Sequence, residues 1–179
     1  RTHKLTARDT ILLTAAAGGI GLIACQWARS VGATIIGTVS TQAKAELAKA
    51  NGCTHTIVVG QQSVPGEVNR ITGGKGVDVV YDSVGKDSWA DSMEAVKMRG
   101  LVVAFGAASG DPPPFDPIED GSVKSIYLHR ATTKNYQVSD TIRRASAERL
   151  FEKMRSGDVK ITIGHEYALR DLPQAHRDV

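Results

Sequence analysis

Thr10-Ile11-Leu12-Leu13-Thr14-Ala15-Ala16-Ala17-Gly18-Gly19-Ile20-Gly21 is the stretch on which the fold turns. A short apolar run without alternation passes into small residues. After it, Ile20, Ile23, Ala24, Trp27 and Val31 recur at three- and four-residue spacing. The run has the length and unbroken apolarity of a strand covered on both faces. The recurring residues form one apolar helix stripe, and Gly32 supplies a C-terminal stop. A strand, a turn of small residues and an amphipathic helix make the opening βα unit of a parallel sheet. Such a turn lets backbone N–H groups approach a pyrophosphate, and the positive end of the helix dipole points at that charge. Measured against G-x-G-x-x-G, Ala16 stands at the first glycine, Gly18 at the second and Gly21 at the third, so the match is one glycine short. A turn that merely packs helix on strand has the same composition, and the flanking units favour the dinucleotide reading. Ala15, Ala16, Ala17, Gly18, Gly19, Ile20 and Gly21 are therefore the candidate phosphate cradle.

Outward from this loop, apolar runs of strand length alternate with amphipathic stretches. Strands are predicted over 10–14, 34–39, 56–59, 77–81, 101–105 and 125–128. Helices are predicted from Ile20 to the Gly32 stop and over 42–50, 64–72 and 88–98, each followed by glycine, with Pro65 in a first turn where its missing N–H costs nothing. The proline-bearing stretch 107–121 reads as a loop with polyproline character. A later helix over 139–156 and a strand over 160–163 follow; beyond Glu166 the pattern is not readable, and the chain reaches Val179 inside what reads as the start of another helix. The expected architecture is α/β: a Rossmann-type doubly wound parallel sheet of about six strands with helices on both faces, as one domain over 1–179.

Dinucleotide folds usually hold the adenosine ribose with an acidic residue at the end of the second strand. Here that place reads Val39-Ser40-Thr41, and no carboxylate occurs before Glu46. Ser40 and Thr41 offer hydroxyls, and Lys44 offers an ammonium suited to an additional 2′-phosphate, so the expected cofactor is NADP(H). Ligands in open α/β sheets bind beyond the carboxyl ends of the strands. The turns Asp82-Ser83-Val84-Gly85 and Phe105-Gly106-Ala107-Ala108 should then border the nicotinamide half, with Ser83 a possible donor. Asp82 reads equally well as a turn-capping residue.

Composition excludes several other classes. The 179 residues carry 22 basic and 19 acidic side chains, a net charge of +3, with 5% aromatics and no basic cluster, which argues against nucleic acid as a partner. The uncharged stretch 10–28 is broken by three glycines and resembles neither a membrane span nor a signal peptide. Cys25 and Cys53 have no ligand-type neighbours at metal spacing, so no metal site is expected and a reducing compartment fits. The five histidines form no catalytic constellation. None of Tyr81, Tyr127, Tyr136 and Tyr167 has a lysine four residues on, which excludes the short-chain dehydrogenase pattern.

Together, AAAGGIGLIACQWARSVGA, IIGTVST, ITGGKGVDVVYDSVGKDSW and RGLVVAFGAASG resemble, in order and spacing, the quinone oxidoreductase or zeta-crystallin-like branch of the medium-chain dehydrogenase/reductase superfamily. The resemblance implies a zinc-free, cytoplasmic, NADPH-dependent reductase of a small-molecule quinone or related enone. Cofactor contacts would fall on the 15–21 loop, Ser40, Lys44, Val84 and the Phe105-Gly106 turn. No catalytic side chain is assigned. Two departures stand out: Val59 where the family often has tyrosine, and Ala108 where it has serine. The family also carries a preceding GroES-like domain that this chain lacks, so the chain by itself is expected to be inactive. A homodimer through the edge of the sixth strand is a further implication. An enoyl reductase module of a multidomain synthase and a non-catalytic NADPH-binding sensor or scaffold are the rival functions.

Overall fold

The computed structural model describes residues 2–178; the ends of the expected 1–179 domain, Arg1 and Val179, lie outside the described residues. Six strands form one sheet: β1 (Thr10–Leu13), β2 (Thr34–Val39), β3 (His55–Val58), β4 (Val77–Asp82), β5 (Val96–Ala104) and β6 (Tyr127–Arg130). Every pairing is parallel, and the spatial order is β3-β2-β1-β4-β5-β6. The chain winds outward from β1 to β3, crosses back, and winds the other way from β4. That reversal leaves a crevice between the carboxyl ends of β1 and β4, the place where such sheets bind ligands.

Helices cover both faces because alternate strand residues are apolar on each side. On one face Ile11, Leu13, Ile35 and Val79 pack with Cys25 and Ala28 of α1 (Gly19–Val31) and with Ala45 and Ala48 of α2 (Gln42–Ala50). On the other, Leu12, Ile36, Val80 and Val102 pack with Val64 and Val68 of α3 (Val64–Thr72) and with Trp89 and Ala95 of α4 (Trp89–Ala95). Left-handed glycines at Gly32 and Gly73 end α1 and α3, as their positions after the apolar stripes predict.

Three local expectations are corrected. The helix predicted over 88–98 stops at Ala95, and the chain enters β5 at once. Val96 is buried and paired with Val77, Lys97 forms an ion pair with Asp78, and Arg99 takes a left-handed φ of 55° as the strand shifts register. Tertiary pairing thus overrides the helical pattern. Strand β6 begins at Tyr127, two residues late, because Ser125 adopts a left-handed φ of 49°. The strand predicted over 160–163 is absent. The Lys160 peptide instead bonds to Gln26 of α1, its N–H donating to Oε1 at 2.8 Å and its carbonyl accepting from Nε2 at 3.0 Å.

The remaining helices are α5 (Glu119–Ser122), which closes the proline-bearing loop, α6 (Thr133–Tyr136), α7 (Asp140–Arg155) and α8 (Leu172–Asp178). Among the described residues no helix is long and apolar enough to cross a membrane. Leu12 is 1% exposed in the central strand. Leu12→Ala should lower the unfolding free energy by about 3 kcal/mol, read from the shift in urea midpoint.

Candidate functional site: the crevice at the sheet reversal

The loop from β1 to α1 is held by backbone contacts. Ala15 adopts a left-handed φ of 52°, and its carbonyl accepts from the Gly18 N–H at 2.9 Å. Ala16 is fully buried, and its N–H donates to the Thr38 carbonyl at 3.0 Å, which ties the loop to the end of β2. Gly21 is the tightest position. A Cβ there would lie 2.4 Å from the Ala15 oxygen and 2.6 Å from the Ala16 oxygen, so only glycine lets α1 seat this closely on the loop. Gly18, Gly19 and Ile20 are exposed at the helix mouth, and a Cβ on Gly19 would meet nothing within 4 Å.

The N-terminus of α1 differs from those of the neighbouring helices. Thr41 caps α2 by accepting from the Lys44 N–H, and Ser63 caps α3 by accepting from the Gly66 N–H. Gly18 provides no side-chain cap to α1, and no acidic residue lies in its first turn. The first-turn N–H groups of a helix have no intrahelical acceptor. At α1 they open onto the crevice with the positive end of the dipole.

The turns after β4 and β5 form the other wall, and Asp82 organises them. This carboxylate is 1% exposed and accepts from the Val84 and Gly85 N–H groups at 2.9 and 3.0 Å, from the Ser88 hydroxyl at 2.8 Å and from the Ser92 hydroxyl at 2.6 Å. The turn-capping alternative is therefore the one the geometry shows. Ser83 faces β1: its N–H donates to Thr14 Oγ1 at 2.9 Å, and the two hydroxyl oxygens are 3.3 Å apart. Gly106 lies against it, and a Cβ there would meet the Ser83 oxygen at 2.4 Å. Ser109 donates from N–H and hydroxyl to the Val84 carbonyl at 2.8 and 2.9 Å. Val84, Phe105 and Ala107 are half-buried along this wall.

The structure thus brings the 15–21 loop together with Ser83, Val84, Phe105, Gly106 and Ala107 at the carboxyl edge of β1, β4 and β5. Ser40 and Lys44 lie exposed at the end of β2 and in the first turn of α2. Thr41 Oγ1 accepts from the Lys44 N–H at 3.2 Å and keeps its own O–H as a donor beside Ser40 and Lys44. Val59 is 52% exposed beside them and presents an apolar surface. A small cavity of about 80 Å³ runs between Thr14, Thr38, Val59 and Val84, with Asp91 at its margin. Burial, aided by Glu94, pushes the Asp91 carboxyl above its ordinary range.

Two residues at this edge escaped sequence reading. Thr14 looks like the last residue of an apolar strand, yet its hydroxyl joins the β1 and β4 ends. Arg130 donates to the Gly106 carbonyl at 3.1 Å. A basic residue at the carboxyl end of the sixth strand was the only signal for it.

A family model described as zinc-binding dehydrogenase matches residues 19–154. The chain belongs to that family. A 2-haloacrylate reductase from Burkholderia is 41% identical over 178 residues, covering 99% of this chain and 54% of the relative. A quinone oxidoreductase from Pseudomonas aeruginosa is 41% identical over 182 residues, covering 100% of this chain and 55% of the relative. The crystal structure of Escherichia coli quinone oxidoreductase complexed with NADPH superposes with a TM-score of 0.94 at 36% identity, covering 99% of this chain and 55% of that one. This family member accordingly falls in the quinone oxidoreductase branch of the medium-chain dehydrogenase/reductase superfamily and spans about half the length of the curated relatives it matches. The family's description mentions zinc, but among the described residues no three His, Cys, Asp or Glu side chains stand together to hold a metal.

Removing the Asp82 carboxylate leaves buried donors unpaired on two turns at once. Asp82→Ala should cost about 3 kcal/mol of stability by chemical denaturation, whereas Ser92→Ala, which removes one donor, should cost about 1 kcal/mol.

Proposed function

We propose that this domain holds NADPH and that, in a longer protein, it presents the cofactor to a quinone or related α,β-unsaturated carbonyl. The observation that carries the reading is the uncapped, acid-free N-terminus of α1 opening on the crevice of the sheet. Open space before Gly19 fits a diphosphate there. Within the 15–21 loop, the first-turn N–H groups of Gly19, Ile20 and Gly21 would hold that group, while Ala15, Ala16, Ala17 and Gly18 shape the turn that presents them. Ser40 and Lys44 would take the 2′-phosphate, with Val59 as the apolar surface beside the adenosine. Ser83, Val84, Phe105, Gly106 and Ala107 would line the nicotinamide half.

NADPH, when bound, supplies a hydride. The residues of this domain would orient and shield it, and the accompanying proton would come from water or from the rest of the longer protein. The relatives named as quinone oxidoreductase and 2-haloacrylate reductase support a substrate with an activated double bond. A cytoplasmic homodimer paired along the β6 edge accompanies the reading; Tyr127 is 66% exposed on that strand.

Calorimetric titration tests the cofactor. NADPH should bind at least about tenfold more tightly than NADH, the worth of one charge-assisted contact. Lys44→Ala should weaken NADPH by a similar factor and leave NADH unchanged. Equal affinity for the two nucleotides in the unmodified protein would remove Lys44 from its role. The full-length protein should turn over 1,4-benzoquinone with NADPH; turnover of enoyl thioesters alone would favour the synthase-type reductase, and turnover of neither a binding role.

A further inference from the structure

The two faces of the sheet are not covered alike. On one, Val80, Val102 and Ala104 are 0%, 0% and 6% exposed and pack with α3 and α4. On the other, α1 and α2 cover β1, β2 and β3, while Tyr81 of β4, Leu101 of β5 and Phe105 just beyond it stay half-buried. All-parallel sheets ordinarily carry helices over both faces. Among the described residues, none of α6, α7 and α8 buries a side chain that could complete the bare half. That half is the floor of a groove of about 850 Å³. Leu13, Tyr81 and Val103 come from the strands beneath it, Ala24 and Trp27 from α1 and Ala131 from beyond β6. Arg130 and Arg149, both exposed, mark its polar rim.

The polypeptide itself leads out of this groove. Thr2 and Leu5 line it, and Leu5 packs against the core cluster on the same face. The Thr2 hydroxyl is hydrogen-bonded to that of Tyr136, which lies 2.7 Å from His129 Nε2. From there Asp9 fixes the path into β1: its carboxylate accepts from the Thr6 N–H at 2.6 Å and from the Thr6 hydroxyl at 2.8 Å. The chain covers 54% and 55% of the two relatives named above, so a longer protein of their kind has ample length to fill the groove.

We propose that this groove is the seat of an amphipathic helix formed by the segment that immediately precedes Arg1 in the longer protein, its apolar stripe completing the second face of the sheet. The groove lies on a face and not at an edge, where the N–H and C=O groups of β4 and β5 are already engaged in the ladder. A strand laid there would leave its own backbone groups unpaired. A helix satisfies its backbone internally and presents apolar side chains on one stripe, which is what a floor of Leu13, Tyr81 and Val103 accepts.

Ala24→Cys places a reporter on the groove wall, because the native thiols Cys25 and Cys53 are 0% and 5% exposed. Maleimide should label position 24 in chain 1–179, and in the longer protein the rate should fall at least about tenfold, since reaction there waits on local opening of the helix. Equal rates in the two proteins would overturn the seat. A benzophenone carried on the same cysteine identifies the occupant. Irradiation of the longer protein should join position 24 to a peptide that ends just before Arg1, within one molecule. A crosslink to another segment or to a second copy would overturn the assignment, as would labelling of chain 1–179 that slows as its concentration rises. If Ala24→Cys fails to fold by circular dichroism, Ala131→Cys, half-buried and lining the same groove, gives the same reading. No nucleotide enters these measurements, so their outcome is independent of the cofactor reading.

Discussion

Seating α1 directly on the turn that leaves β1 is the constraint on which the molecule depends. With a Cβ at Gly21 placed 2.4 Å from the Ala15 oxygen, any other residue would push the helix off the loop. Close seating puts the helix mouth at the reversal of the sheet and lets Cys25 and Ala28 fill the core above Ile11 and Leu13. The same packing holds Ala16 against the end of β2. One missing side chain thus serves both the hydrophobic core and the geometry of the crevice.

Around this point polar groups are distributed unequally. Helices α2 and α3 spend a threonine and a serine on their own first-turn N–H groups. Helix α1 has no such cap, so its donors remain available in a place where the sheet leaves space. Across the crevice the negative charge is turned inward: Asp82 is consumed by four different residues of the β4 turn and α4. The wall therefore offers backbone and small hydroxyls, and the nearest buried carboxylate is already satisfied by its own donors. The part of the crevice that favours an anion is therefore the α1 mouth, whereas Asp87 and Asp91 line the small cavity beside Val59 and Val84.

Membership of the quinone oxidoreductase branch agrees with this arrangement because so little of it depends on distinctive side chains. A site made of main chain, glycines and buried caps tolerates substitution around it, provided each close approach is kept. Val59 and Ala108 are instances: each donates its backbone N–H, to the Val39 and Ser83 carbonyls respectively, and neither bond depends on its side chain. Thr14 and Ser83 join those walls, the Ser83 N–H donating to the Thr14 hydroxyl oxygen at 2.9 Å between residues far apart in the chain.

The sequence by itself determined the α/β class, the parallel sheet, the position of the loop and the absence of an acidic residue after β2. These are local facts: unbroken apolar runs, a stripe of helical period, and glycines after each stripe are legible within a dozen residues. What only the tertiary structure decided are matters of partnership. Val96 left its helix because Val77 was there to pair with it, and the Lys160 segment is no strand because Gln26, more than a hundred positions earlier, satisfies its peptide. Thr14 was joined to Ser83, sixty-nine positions on, for the same reason. Hydrogen bonds and contacts between distant residues depend on which strands lie side by side, and that order is set by packing the whole sheet rather than by any one stretch of chain.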